Sequence, residues 1–76
     1  MMERDETVVK TRHEYAIDLI SSQLEVFGLS IAGEDGQSVW FDWKGHQVRH
    51  WSYTGWHSGK TIKDGRGIHR LIDQLK

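Results

Sequence analysis

The stretch Val39-Trp40-Phe41-Asp42-Trp43-Lys44-Gly45-His46-Gln47-Val48-Arg49-His50-Trp51-Ser52-Tyr53-Thr54-Gly55-Trp56 decides the fold. It holds all four tryptophans of the chain. Residues alternate with period two on both sides of Lys44-Gly45, the pattern of two strands joined by a tight turn. With Lys44-Gly45 as a two-residue turn, Trp43 faces His46, Phe41 faces Val48 and Val39 faces His50. On the other face Asp42 meets Gln47, Trp40 meets Arg49 and Ser38 meets Trp51. The first face is apolar enough for a core. The second still carries Trp40, Arg49, Trp51 and Tyr53, and large aromatics on both faces of one hairpin point to a ligand.

Working outward, Leu29-Ser30-Ile31-Ala32-Gly33 alternates weakly and reads as a short strand before a Glu34-Asp35-Gly36 turn. Upstream of it, Thr11-Arg12-His13-Glu14 fits a capping box, which starts a helix reaching to about Phe27. Ala16, Ile17, Ile20, Leu24 and Phe27 recur at helical spacing and form its core face. Glu14, Asp18, Ser21 and Glu25 line the opposite side. Gly28 suits the left-handed position that ends such a helix. Residues 1–10 read as a flexible tail or a short strand at Thr7-Val8-Val9.

Downstream, Gly55 to Gly67 has four glycines with Lys60, Lys63 and Arg66, and reads as a loop. Ile68, Leu71, Ile72 and Leu75 then repeat at helical spacing, with Asp64 as the expected N-cap. The expected fold is α+β over residues 11–76: helix, three-stranded antiparallel meander, helix. Both helices pack on one face of the sheet.

The chain has 76 residues and no cysteine, so disulfides and thiolate metal sites are excluded. No apolar run approaches the roughly 20 residues of a membrane span, and the charged start Met-Met-Glu-Arg-Asp-Glu is unlike a secretory signal. A cytoplasmic protein without a membrane partner is expected.

The formal net charge of −1 hides a gradient. Residues 1–38 hold three cations against eight acids, and residues 39–76 hold seven against three. Four of the five histidines lie in the basic half. Such asymmetry marks either a basic binding surface or two halves that attract each other.

Candidate chemistry narrows quickly. Gly55-Trp56-His57-Ser58-Gly59-Lys60-Thr61 has one residue too few between its glycines for a nucleotide-binding Walker loop. Ser58 to Arg66 nevertheless supplies glycine-exposed amides and three cations, the parts of an anion contact. His46 and His50 on one strand stand about 13 Å apart, too far to share an ion. They are expected at the edge of the hairpin's core face, with His57 and His69 at the surface. No metal or cofactor is expected. Ser58 adjoins His57, but no orienting acid accompanies them, so an enzyme is not expected.

The expected element order resembles that of double-stranded-RNA-binding domains. The segment Lys60-Thr61-Ile62-Lys63 is similar to the lysine-bearing start of their second helix. That resemblance implies RNA contacts from the first helix and the first strand-to-strand loop. Here those elements carry Glu14, Asp18 and Glu25, and Glu34-Asp35-Gly36, which repel phosphate.

The reading is a small non-enzymatic binding domain that contacts nucleic acid through its basic, aromatic half. Trp40, Arg49, Trp51 and Tyr53 form a stacking platform, and Lys60, Lys63, Arg66 and Arg70 contact phosphate. The alternative is a protein-interaction or inhibitor module of the kind found among small phage, viral and mobile-element proteins. It binds a host protein through the same aromatics or the acidic first helix. A homodimer partner on the aromatic face is compatible with either.

Overall fold

The computed structural model describes residues 6–76. Its elements are α1 (Glu6–Glu25), β1 (Gly33–Glu34), β2 (Ser38–Trp43), β3 (His46–Trp51), β4 (Trp56–Gly59), β5 (Gly65–Arg66) and α2 (Ile68–Gln74). The strands form one antiparallel sheet in chain order. The class is the expected α+β, but the meander has five strands instead of three.

The hairpin supplies the register. β2 and β3 pair as Ser38–Trp51, Val39–His50, Trp40–Arg49, Phe41–Val48, Asp42–Gln47 and Trp43–His46. Lys44 and Gly45 both take positive φ, 54° and 85°, which a type I′ turn requires. Glycine carries the second of these at no steric cost. Val39, Phe41 and Val48 are therefore fully buried on one face, while Asp42 and Gln47 are exposed on the other.

Two short strands lie where a loop was expected. β4 pairs with β3 through Val48–Gly59, Arg49–Ser58 and His50–His57, and β5 pairs with β4 through Trp56–Arg66 and His57–Gly65. Glycine-rich polar sequence gives little strand signal. The backbone groups here are satisfied by the neighbouring strand instead. Lys60-Thr61-Ile62-Lys63 consequently lies in the β4–β5 connection, not at the start of a helix. The Thr61 hydroxyl ties this connection to the hairpin tip by donating to the Trp43 carbonyl (2.8 Å).

Both helix starts differ from expectation. α1 is already formed at Glu6, so Thr7-Val8-Val9 is helical and Thr11 lies inside the helix. The reason is visible in the stripe Val9, His13, Ala16, Ile20 and Leu24, which extends the helical spacing back through a buried histidine. Residues 1–5, the rest of the expected tail, lie outside the described residues. Asp64 does not cap α2. Its carboxylate accepts from the Gly59 N–H (3.2 Å), and Gly67 takes the N-cap position with no side-chain cap. The end of α1 is as expected. Gly28 has φ 73°, its N–H donates to the Glu25 carbonyl (3.0 Å), and the Leu29 N–H reaches the Leu24 carbonyl (2.9 Å).

Ile20 and Leu24 of α1, Leu71 and Leu75 at α2, and Val39, Phe41, Trp43 and Val48 of the sheet make one buried cluster. Ile17, Ile31, Ile62, Ile68 and Ile72 pack around it, half-buried. Phe27, expected in the core, is 43% exposed and meets Trp43 edge-on with ring centroids 5.1 Å apart. The Gln23 amide donates to the Leu75 carbonyl and ties the two helices together.

Leu71 is the only fully buried side chain inside the seven-residue α2. Leu71→Ala should therefore cost about 2–5 kcal/mol, much of the stability of so small a domain. The check is a urea titration followed by tryptophan fluorescence. A loss below about 1 kcal/mol would show that α2 contributes little to the core.

Candidate functional site

The face of the hairpin turned away from the core presents an ordered stack. Trp40 and Arg49 are cross-strand partners, and Trp51 follows Arg49 by two residues, so all three project from the same face. The Arg49 guanidinium carbon lies 4.7 Å from the centre of the Trp40 ring and 5.5 Å from that of Trp51. The cation thus sits against two indoles at once. Trp40 in turn is seated on Gly33, its cross-strand partner in β1. A Cβ at position 33 would come within 2.7 Å of the indole, so only glycine allows this approach.

The β1–β2 turn anchors the stack. Asp35 Oδ1 accepts from the backbone N–H of Gln37 (2.9 Å) and of Ser38 (2.6 Å), and from the Ser38 hydroxyl (3.1 Å). Its Oδ2 accepts from Arg49 Nη2 (3.3 Å), while Arg49 Nε donates to Ser38 Oγ (3.0 Å). The backbone N–H groups of Gln37 and Ser38, with help from the Ser38 hydroxyl and Arg49, hold the Asp35 carboxyl below the usual carboxylate range. This ion pair is half exposed, so its value lies more in fixing the guanidinium than in stability.

The face continues toward β5. Ser58 stands beside Arg49, and Trp56 pairs with Arg66 across β4 and β5. Trp56 at the start of β4 and Trp51 at the end of β3 project from this same outer face of neighbouring strands. These two indoles are 42% and 37% exposed, the largest aromatic exposure on the sheet. Trp56 went unassigned in the sequence because its strand did. Asp35 went unassigned because nothing in an Asp-Gly turn signals an arginine fourteen residues on.

The other expected site residues divide between several places. Tyr53 leaves the stack. Its ring lies 4.8 Å from the Arg12 guanidinium, and Arg12 Nη1 donates to the Tyr53 carbonyl (2.7 Å), which ties it to α1. Lys60 and Arg66 are exposed on the β4–β5 segment. Lys63 and Arg70 line a separate hollow beside α2, on the helix side of the sheet, with His57, Asp64, Gly65 and Gln74. Another hollow, about 720 Å³, lies between α1 and the β1–β2 turn. Its lining includes Glu14, Glu34 and Asp35, which disfavour an anion there.

Two histidines differ from expectation: His46, expected at the edge of the core face, is exposed, and His57, expected at the surface, is buried. His46 and His69 are exposed, but His50 and His57 are each only 1% exposed, as cross-strand partners on the core face. His13 of α1 is also buried, with Nδ1 2.7 Å from Ser52 Oγ and Nε2 3.3 Å from Glu34 Oε1. The Nδ1 atoms of His50 and His57 have no hydrogen-bond partner among the described residues. No group of three or more potential ligands that could hold a metal ion occurs among those residues. Among them, too, no helix is long and apolar enough to cross a membrane.

No family model, curated protein or solved structure matches the chain.

The buried imidazoles set an acid limit on the fold. Burial, reinforced by His57 and His13, lowers the His50 pKa to about 4, and burial likewise lowers that of His57. The unfolded chain takes up these protons first, near pH 6.5. Stability is therefore complete above that value and is lost as pH falls from there toward the folded-state value. From pH 7.5 to pH 5 His50 alone should remove about 2 kcal/mol, read from the urea midpoint. His50→Phe should flatten this dependence. An equal slope in both proteins would show that His50 carries no such penalty.

Proposed function

We propose that the outer face of the sheet binds single-stranded nucleic acid, with Trp51 and Trp56 as the stacking surface and Arg66 and Lys60 as the phosphate contacts. The observation that carries this reading is the pair of exposed indoles on neighbouring strands beside an arginine that makes no ion pair among the described residues. Bases stack on such rings at about 1–3 kcal/mol each. Trp40 and Arg49 extend the surface. Arg49 serves as a flat stacking partner, since its charge is already opposed by Asp35.

The arrangement also favours one end of the face. Asp42 and Asp35 lie near Trp40, at the β1–β2 end, where they repel phosphate. The β3–β5 end carries Arg66 and Lys60 instead. Glu14, Asp18 and Glu25 belong to α1, which packs on the opposite side of the sheet. A strand therefore runs across Trp51 and Trp56 and away from the β1–β2 turn. The role is binding, not catalysis.

A second reading rests on one specific feature. The Trp40–Arg49–Trp51 stack is pinned by Asp35 before any partner arrives, and tryptophan and arginine in a fixed arrangement typify interface hot spots. A host protein would dock on that end, as an inhibitor's target does.

Oligothymidylate at low salt should quench tryptophan fluorescence, and Trp51→Ala or Trp56→Ala should remove most of the quench. The affinity should fall with salt by a log–log slope of about −0.7 per phosphate contact, and Arg66→Ala should reduce the slope by about that amount. If DNA and RNA oligonucleotides leave the fluorescence unchanged, the nucleic-acid reading fails. Capture of a protein from lysate that survives nuclease and is lost in Trp40→Ala would then establish the second reading.

A further inference from the structure

The hollow beside α2 is built differently from the outer face. It measures about 310 Å³ and is lined by His57, Lys63, Asp64, Gly65, Arg70 and Gln74. It lies on the helix side of β4 and β5, across the sheet from Trp51 and Trp56.

Gln74 gives this hollow a defined shape. Its Oε1 accepts from the Lys63 backbone N–H (2.5 Å), and its Nε2 donates to the Lys63 carbonyl (3.1 Å). The same Nε2 lies within reach of the Arg70 carbonyl (3.4 Å) and of His57 Nε2 (3.4 Å). One side-chain amide thus fastens the β4–β5 connection to α2 at the residue that carries the lysine. The connection is held where a loop of this composition would otherwise move.

The charges in the hollow are unbalanced. Neither Lys63 nor Arg70 forms a side-chain ion pair or hydrogen bond among the described residues. The one acid in the lining, Asp64, accepts from the Gly59 N–H and keeps its charge, so the two cations outnumber it by one. His57 forms part of the wall, 1% exposed, with its Nδ1 lacking a hydrogen-bond partner among the described residues. Burial opposes its protonation and the Arg70 charge adds a little to that, while Asp64 and the Gly55 and Lys63 backbone favour it. Two uncommitted cations of different geometry remain, a planar fork and a point charge. Gly65 lines the hollow without a side chain, and a Cβ there would stand at ordinary contact distance, 3.6 Å, from the His57 ring.

We propose that this hollow is a binding site for a phosphate monoester, held by Arg70 through its fork and by Lys63 as the second charge. A monoester presents three terminal oxygens, so the Arg70 fork and the Lys63 ammonium can each engage their own, whereas a carboxylate or a phosphodiester offers two. The same group occurs on a free nucleotide and at the end of a nucleic-acid strand. The site is independent of the stacking surface, and either can exist without the other.

The test is an amide-resolved NMR titration with inorganic phosphate, against sodium chloride at equal ionic strength. Phosphate should shift Lys63, Asp64, Gly65 and the Gln74 side-chain amide saturably, and chloride should not. Lys63→Ala and Arg70→Ala should each weaken binding about five- to tenfold. Gly65→Val should do the same with every charge retained, provided its spectrum stays dispersed. That third variant separates a shaped hollow from a diffuse positive field. Non-saturating shifts, shifts shared with chloride, or affinities unchanged in all three variants would overturn the proposal. Two further arms identify the source. Saturation by adenosine 5′-monophosphate but not adenosine assigns a free monoester. Saturation only by a 5′-phosphorylated oligonucleotide assigns a strand end. Equal shifts from the unphosphorylated oligonucleotide would overturn the monoester assignment. Tryptophan quenching reports the outer face separately, so failure of one site is not mistaken for failure of the other.

Discussion

The Lys44-Gly45 turn is the constraint on which the rest of the molecule depends. Two residues at positive φ join β2 to β3 in one register only. Side chains alternate with period two, so a slip of one residue would put Phe41 and Val48 in solvent and Trp40 and Arg49 in the core. Everything else is placed relative to that choice. The helices cover the face that receives Val39, Phe41, Trp43 and Val48, and the indole–guanidinium stack forms on the face that remains.

The hairpin was readable in full because its signals are local. Turn chemistry and alternation act over a few residues, and all six cross-strand pairs agree with the structure. The spacing Ile68, Leu71, Ile72 and Leu75 was similarly sufficient to locate α2, and Gly28 to end α1. What was not readable depends on partners distant in sequence. β4 and β5 are strands because β3 offers them hydrogen bonds, not because glycine, serine and lysine prefer extended backbone. Val9 is helical although β-branched, because the stripe through His13 continues onto it, and the exposed Val8 lies within the same helix. Histidine was the least legible residue type. His50 is on the core face opposite Val39 as the register predicts, but His46 at the hairpin tip is exposed and His57 is buried by a strand that its own neighbours do not signal.

The candidate site was partly legible for the same reason. Trp40, Arg49 and Trp51 came together because the hairpin brings them together. Tyr53 lies past the end of β3, where alternation no longer applies, and Arg12 draws it to α1. Lys60, Lys63, Arg66 and Arg70 read as one patch in sequence. In the fold β4 and β5 divide them, with Lys60 and Arg66 exposed on the strand segment and Lys63 and Arg70 in a hollow beside α2. A net charge summed over half a chain is blind to which side of a sheet each charge occupies.

The two oxygens of Asp35 serve different parts of the molecule. Oδ1 closes the turn through Gln37 and Ser38, and Oδ2 meets Arg49. An asparagine there keeps an oxygen for the turn while removing the charge that opposes the guanidinium. The local backbone is then insulated from a change in the surface potential above it. Position 35 is in this sense a tuning point, where the affinity of the face for anions can drift over generations while the architecture beneath it stays fixed.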